Sequence, residues 1–208
     1  MDDGTRAPVR LLMVSGSLQP QSSNRAALDV AAGLATGGGA AVETFDHLAE
    51  LPAFDPARSD EPDEVVAGWR AQADHADAVL VAAPEYAGGL AGAVKNALDW
   101  LVATVALYRT PVAVISAGTT GGPHALVELT RTLTWQGAYV VGALGIAAPR
   151  TKADEQGRFT DPATLAAIRA LTEELLGAAS APGAEAAATA QQVVAGLGID
   201  PGHVPPPA

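Results

Sequence analysis

The chain has 208 residues and a formal net charge of −11. That length suits one domain with a short extension, and the acidity argues against nucleic acid or an anionic membrane as partners. There is no cysteine, which excludes disulfides, thiolate metal sites and cysteine nucleophiles.

The acidic start, "MDDGTRAPVR", has neither the basic residues nor the long apolar region of a signal peptide. No apolar run approaches the roughly 18 residues of a membrane helix. A soluble cytoplasmic protein is the expectation. The first apolar run, "VRLLMV" (9–14), reads as a strand. It leads into "VSGSLQPQSSNR" (14–25), a polar loop, and then into a helix over 24–35. "AVETF" (41–45) is a second strand, and a helix over 62–75 follows a long irregular stretch. "AVLVAA" (78–83) and "VAVISA" (112–117) are apolar at nearly every position, as strands buried on both faces are. Between them, Val94, Leu98, Leu101, Val102 and Val105 make one apolar stripe, predicting a helix over 91–107. A helix over 123–135 and a fifth strand, "YVVGALGI" (139–146), come next. The last long helix has Asp161 as its N-cap and Pro162 at its first position, with Leu165, Ile168, Leu171, Leu175 and Leu176 on one face.

Five alternations of strand and helix predict an open, three-layer α/β/α sheet. In such sheets ligands bind beyond the C-terminal ends of the strands. A domain over residues 1–178 is expected, followed by a 179–208 extension: a short helix near 184–195 and a Pro-rich tail, disordered or packed on a neighbouring chain.

Three loops at those strand ends carry the chemistry. In the first, Gly16 permits a sharp turn, and Ser15, Ser17, Ser22, Ser23 and Asn24 offer hydroxyls and an amide. The helix beginning near Asn24 adds unpaired N–H groups and the positive end of its dipole. Together these suit a phosphate held without a cationic side chain; an ordinary polar turn with an N-capping serine is the plainer alternative. The second, "PEYAGGLAGAVKNALDW" (84–100), has glycines that admit a flat ligand and Tyr86 to lie beside it. Lys95 either touches a ligand or pairs with Glu85 or Asp99. Trp100 is expected to be buried against another helix or a partner subunit. The third, "SAGTTGG" (116–122), is a further set of N–H and hydroxyl donors. His124 beyond it reads as a cap or surface residue before it reads as a catalyst.

The three loops together resemble the NADPH-dependent FMN reductase family of flavodoxin-like proteins, which includes small quinone, chromate and azo-dye reductases. The family's G-S-L-R-x-x-S-x-N stands here as "GSLQPQSSN", its P-E-Y-N-x-S-x-P-G-x-L-K-N-x-x-D-W as "PEYAGGLAGAVKNALDW", and its G-x-x-G-G as "GTTGG". The resemblance implies a flavodoxin-like fold with a five-stranded parallel sheet in the order 2-1-3-4-5. It implies FMN, with NADPH or NADH as co-substrate. Ser15, Ser17, Gln19, Ser22, Ser23 and Asn24 would surround the phosphate. Pro84, Glu85, Tyr86, Ala87 and Gly88 would line the isoalloxazine ring, and Gly118, Thr119, Thr120, Gly121 and Gly122 would meet its other edge or the ribityl chain. Gln19 stands where the family has arginine, and Ala87 where it has asparagine; Arg25 is a candidate to restore the missing charge. No catalytic side chain and no metal site are expected, because the flavin carries the chemistry. The implied activity is ping-pong hydride transfer from NAD(P)H to a quinone or similar small-molecule acceptor, in a homodimer or homotetramer. A flavin reductase feeding a monooxygenase partner and a flavodoxin-type electron carrier are the alternatives.

Overall fold

The computed structural model describes residues 7–207. The first six residues of the acidic start therefore lie outside the described residues. Seven strands and six α-helices run in the order β1 (Arg10–Ser15), α1 (Ser23–Gly37), β2 (Ala41–Phe45), α2 (Glu64–His75), β3 (Ala78–Ala82), β4 (Glu85–Tyr86), β5 (Gly89–Leu90), α3 (Gly92–Asp99), β6 (Pro111–Gly118), α4 (Pro123–Trp135), β7 (Tyr139–Ala147), α5 (Pro162–Ser180) and α6 (Ala184–Gly196). The large sheet is parallel throughout, in the order β2-β1-β3-β6-β7. Counted among its own five strands, this is the expected 2-1-3-4-5 order.

The period-two alternation of each strand feeds two cores. Leu11 and Met13 of β1 face one side, with Leu80, Ile115 and the buried residues of α1, α5 and α6. Leu12 and Val14 face the other, with Val79, Val81, Val114 and the buried residues of α2, α3 and α4. The expected N-cap of α5 is present: Asp161 accepts from the Thr164 N–H at 2.8 Å and from its hydroxyl at 2.7 Å, and these bonds hold its carboxyl below the usual range.

Two expectations are corrected. The helix read over 91–107 ends at Asp99. Beyond it the Thr104 hydroxyl donates to the Leu101 carbonyl and accepts from the Ala106 N–H, so the side chain competes with helical bonding. The last carbonyls find partners elsewhere, Leu98 from Gln136 and Trp100 from Arg70. Val102 and Val105, placed by the stripe on a buried face, are exposed. The C-terminal segment also differs from the separate, partly disordered extension expected. Ala186, Ala187, Ala190 and Val194 of α6 belong to the same core as α1 and α5. The tail lies on its own chain. Tyr139 Oη donates to the Pro206 carbonyl at 3.0 Å, Arg109 Nη2 donates to the Pro207 carbonyl at 3.3 Å, and the His203 ring stacks on Trp135. A proline-rich segment leaves its carbonyls free of internal partners, so side chains of the domain can take them.

The β1–α1 loop is seated by close approach. The Gly16 N–H donates to the Ala82 carbonyl at 2.7 Å. A Cβ at this position would stand 2.9 Å from that carbonyl oxygen and 2.5 Å from a Val94 methyl. The glycine is needed here for space, where the sequence suggested a sharp turn. Gly16→Ala should lower stability by about 1–3 kcal/mol, as overpacking does. Urea unfolding would show this as a lower midpoint at unchanged slope.

Candidate functional site

The C-terminal ends of β1, β3, β6 and β7 surround a cavity of about 510 Å³. From the residues expected at a site, it collects Ser17, Gln19, Ser22, Ser23, Asn24, Pro84, Tyr86, Gly118 and Thr119. Ser15, Glu85, Ala87, Gly88, Thr120, Gly121 and Gly122 do not line it.

At one end stands the N-terminus of α1. Ser22 is its N-cap, its hydroxyl accepting from the Arg25 N–H at 3.1 Å. The cap leaves the N–H groups of Ser23 and Asn24 without partners among the described residues, at the positive end of the helix. These N–H groups, with the hydroxyls of Ser17 and Ser23, gather neutral hydrogen-bond donors at the start of α1, a set suited to an anion.

The Asn24 side chain has another task. Its Nδ2 donates to the Ala117 carbonyl at 3.1 Å, and its Oδ1 accepts from the Ala117 N–H at 2.9 Å. The residue is buried, and the amide is occupied in joining α1 to the end of β6. The side chain is a positioning group, so the expectation that this amide grips a phosphate is corrected for the side chain, while the residue still lines the cavity.

Glu85 is likewise structural. Gly122, the N-cap of α4, has no side chain to cap the helix, and Glu85 Oε2 does so instead, accepting from the N–H groups of His124 and Ala125 at 2.8 and 3.2 Å. In return Glu128 of α4 accepts from the Leu90 N–H at 2.7 Å. Two carboxylates thus clamp the β4–β5 hairpin to α4 from both sides. Gly122 has φ 64°, and a Cβ there would stand 1.9 Å from Ser116 Oγ, so both backbone and space require glycine. His124 is exposed at the helix start and does not line the cavity.

The long second motif divides between ligand face and scaffold. Pro84 and Tyr86 face the cavity. Lys95 pairs with Asp99. Asn96 donates to the Pro52 carbonyl and accepts from the Phe54 N–H, and Trp100, fully buried, also donates to Pro52. These residues pin the irregular segment after β2 against α3.

Ala87 and Gly88 form the two-residue turn of the hairpin, with φ 52° and 73°. Both being positive, this is the turn that favours Asn-Gly. Ala87 therefore occupies a backbone position that asparagine fits better than alanine.

Arg25, the candidate for restoring charge, is engaged elsewhere. It pairs with Asp46 and, at 3.4 Å, with Asp29. The hydrogen bond to Asp46 raises its already high pKa. It does not line the cavity. Sequence reasoning missed the segment after β7, where Ala148, Pro149, Arg150 and Thr151 complete the wall. The rule that looked to the ends of the other strands applies equally to this one.

The chain matches the NADPH-dependent FMN reductase family over residues 9–152. It belongs to that family. An NAD(P)H-dependent FMN reductase of Pseudomonas aeruginosa is 33% identical over 162 residues, covering 74% of this chain and 85% of the relative. An NADPH azoreductase of Bacillus sp. is 32% identical over 94 residues, 44% of this chain and 52% of that protein. Among solved structures, FerB, a flavoenzyme NAD(P)H:(acceptor) oxidoreductase from Paracoccus denitrificans, superposes with a TM-score of 0.68 at 24% identity, covering 85% of this chain and all of that one. That likeness establishes the fold. The chain is thus an NAD(P)H-dependent flavoenzyme that uses FMN.

The cavity fits the cofactor by its donor chemistry. Its lining combines neutral hydroxyls and the N–H groups at the start of α1 with Pro84 and Tyr86, and Gly118 carries no side chain to narrow the wall. A Cβ at Gly118 would meet no protein atom within 4 Å.

Asn24→Ala should cost about 2–4 kcal/mol, since it strands two backbone groups of Ala117 in a buried position. Thermal unfolding would detect it, and a change below about 0.5 kcal/mol would contradict the role. Ala87→Asn should act in the opposite direction, by about 0.5–1 kcal/mol, relieving the left-handed penalty. For a chain of this size a melting temperature higher by roughly 1–4 °C is expected.

Proposed function

We propose that the protein is an FMN-dependent NAD(P)H oxidoreductase that delivers reducing equivalents to quinone-like acceptors by ping-pong turnover. The observation that carries this reading is the lining of one cavity by an exposed aromatic side chain and by the start of a helix. Pro84 and the exposed Tyr86 line it on the β3 side, where a flat ring would lie, and Ser22, Ser23 and Asn24 line it at the start of α1, where a phosphate would lie. Donor and acceptor, both flat rings, would occupy the β3 side in turn.

When bound, the flavin supplies hydride transfer between nicotinamide and acceptor. The chain's contribution is placement. Ser17, Ser23 and the first N–H groups of α1 hold the phosphate end, and the clamped hairpin keeps Pro84 and Tyr86 against the ring end. Over a cycle NAD(P)H loses a hydride, and a quinone gains those two electrons with that proton equivalent and one more proton from water. Holding both partners at one fixed face is the source of rate enhancement that needs no acid–base residue.

A second reading is that FMN is itself released after reduction and feeds a partner monooxygenase. One observation favours it: Gln19 is exposed and uncharged where the family has arginine. For either reading we take the assembly to be a homodimer. Its support is the exposed Val102, Tyr108 and Trp135, which line one groove with residues of α3 and α4. A cytoplasmic location accords with this reading, and no helix among the described residues is long and apolar enough to cross a membrane.

Steady-state rates with varied NADPH and benzoquinone, at catalytic protein with FMN bound, should give parallel double-reciprocal lines. Intersecting lines would overturn ping-pong turnover. Quinone reduction that requires free FMN above the protein concentration would favour the second reading.

A further inference from the structure

A phosphate monoester is strongly anionic, and the first loop offers it only neutral groups: from Ser15 to Asn24 there is no lysine or arginine. The nearest basic residue in sequence, Arg25, is neutralised by Asp46 and Asp29. The cavity nevertheless contains a cation. Arg150 lines it together with Ser17, Ser22 and Ser23. The residue is exposed and makes no hydrogen bond or ion pair among the described residues.

Its position is built by the backbone. Ala148 adopts a left-handed conformation, φ 47°, unusual for a residue with a side chain. Its N–H donates to the carbonyls of Gly118 and Thr119 at 3.1 and 3.2 Å, which pins the end of β7 to the end of β6. The buried Pro149 then starts a short 3₁₀ turn over Pro149–Lys152, closed by the Thr151 N–H and hydroxyl donating to the Ala148 carbonyl at 3.0 and 2.9 Å. The strained residue and the turn after it bring Arg150 into the lining of the cavity. Arg150 also lines a neighbouring groove, again with Ser22 and Ser23, so it shares two adjoining depressions with the start of α1.

We propose that Arg150 pairs with the 5′-phosphate of FMN, replacing from the β7–α5 connection the cation that Gln19 leaves out of the loop. The proposal rests on the reading of this cavity as the flavin site. It makes the loss of charge at one position of the fold compatible with retention of the cofactor, through a guanidinium that offers the bidentate geometry suited to phosphate.

The test compares two ligands that differ only in the phosphate. Full-length protein stripped of flavin is titrated with FMN and with riboflavin, followed by flavin fluorescence. Wild-type protein should prefer FMN. Arg150→Gln should lose about tenfold in FMN affinity, as removal of a charged hydrogen bond at an exposed site implies, and leave riboflavin affinity and melting temperature unchanged. Arg150→Lys should recover part of the loss, and Gln19→Arg added to Arg150→Gln should restore most of it. Equal losses for both flavins, or none for either, would overturn the proposal. So would a rise in KM for NADPH but not NADH with FMN affinity unchanged, which would assign Arg150 to the 2′-phosphate of the nucleotide. Wild-type protein that binds neither flavin would instead overturn the reading of the cavity, and the assignment of Arg150 with it.

Discussion

The side-chain amide of Asn24 is the joint on which the site depends. β1 and β6 are separated in the sheet by β3, so no backbone ladder connects the loop after one to the loop after the other. Asn24 makes that connection by pairing with both polar groups of the Ala117 peptide. An amide can do this because it carries a donor and an acceptor side by side, matched to the N–H and C=O of one residue. The start of α1 is thereby fixed against Gly118 and Thr119. The carbonyls of those two residues then hold Ala148, and Ala148 sets the turn that carries Arg150. Three walls of the cavity are placed in series from one buried hydrogen-bonded pair.

The ring end is fixed by a different device. Glu85 and Glu128 each accept backbone N–H groups across the gap between hairpin and α4. The first also places negative charge at the positive end of a helix, where it is favourable. A hairpin of two-residue strands is not stable alone, and here it has a left-handed alanine in its turn. The two carboxylates supply what the strands lack. Pro84 and Tyr86, which line the cavity, are thus supported by residues that do not line it, as preorganised sites require.

The sheet was legible because its strands are short apolar runs separated by amphipathic stretches, and periodicity reports burial directly. The three loops were legible as places, since topology puts ligands at strand ends. Roles within them were less so. Whether Asn24 faces a phosphate or a peptide, and whether Glu85 faces a flavin or a helix end, depends on partners 93 and 39 residues away. The hairpin was read as a loop because two-residue strands carry no period. The α3 stripe ran too far because Val102 and Val105 continue its spacing beyond the point where Thr104 turns its hydroxyl on the backbone. The tail was misread because composition records only that prolines cannot form a helix or a ladder, and says nothing of Tyr139 and Arg109 waiting for their carbonyls.

Charge places the last constraint on the site. With 12 basic residues against 23 acidic ones, the general field of the molecule repels both the flavin phosphate and the nucleotide phosphates. Much of the basic charge is already matched: Arg10, Arg25, Arg58, Lys95, Arg158 and Arg169 each pair with a carboxylate. Binding an anion must therefore depend on local groups that act over a few ångströms, where screening and the distant field matter little. Helix N–H groups, serine hydroxyls and an arginine without a carboxylate partner among the described residues are such groups, and the fold brings all three kinds into the lining of one cavity.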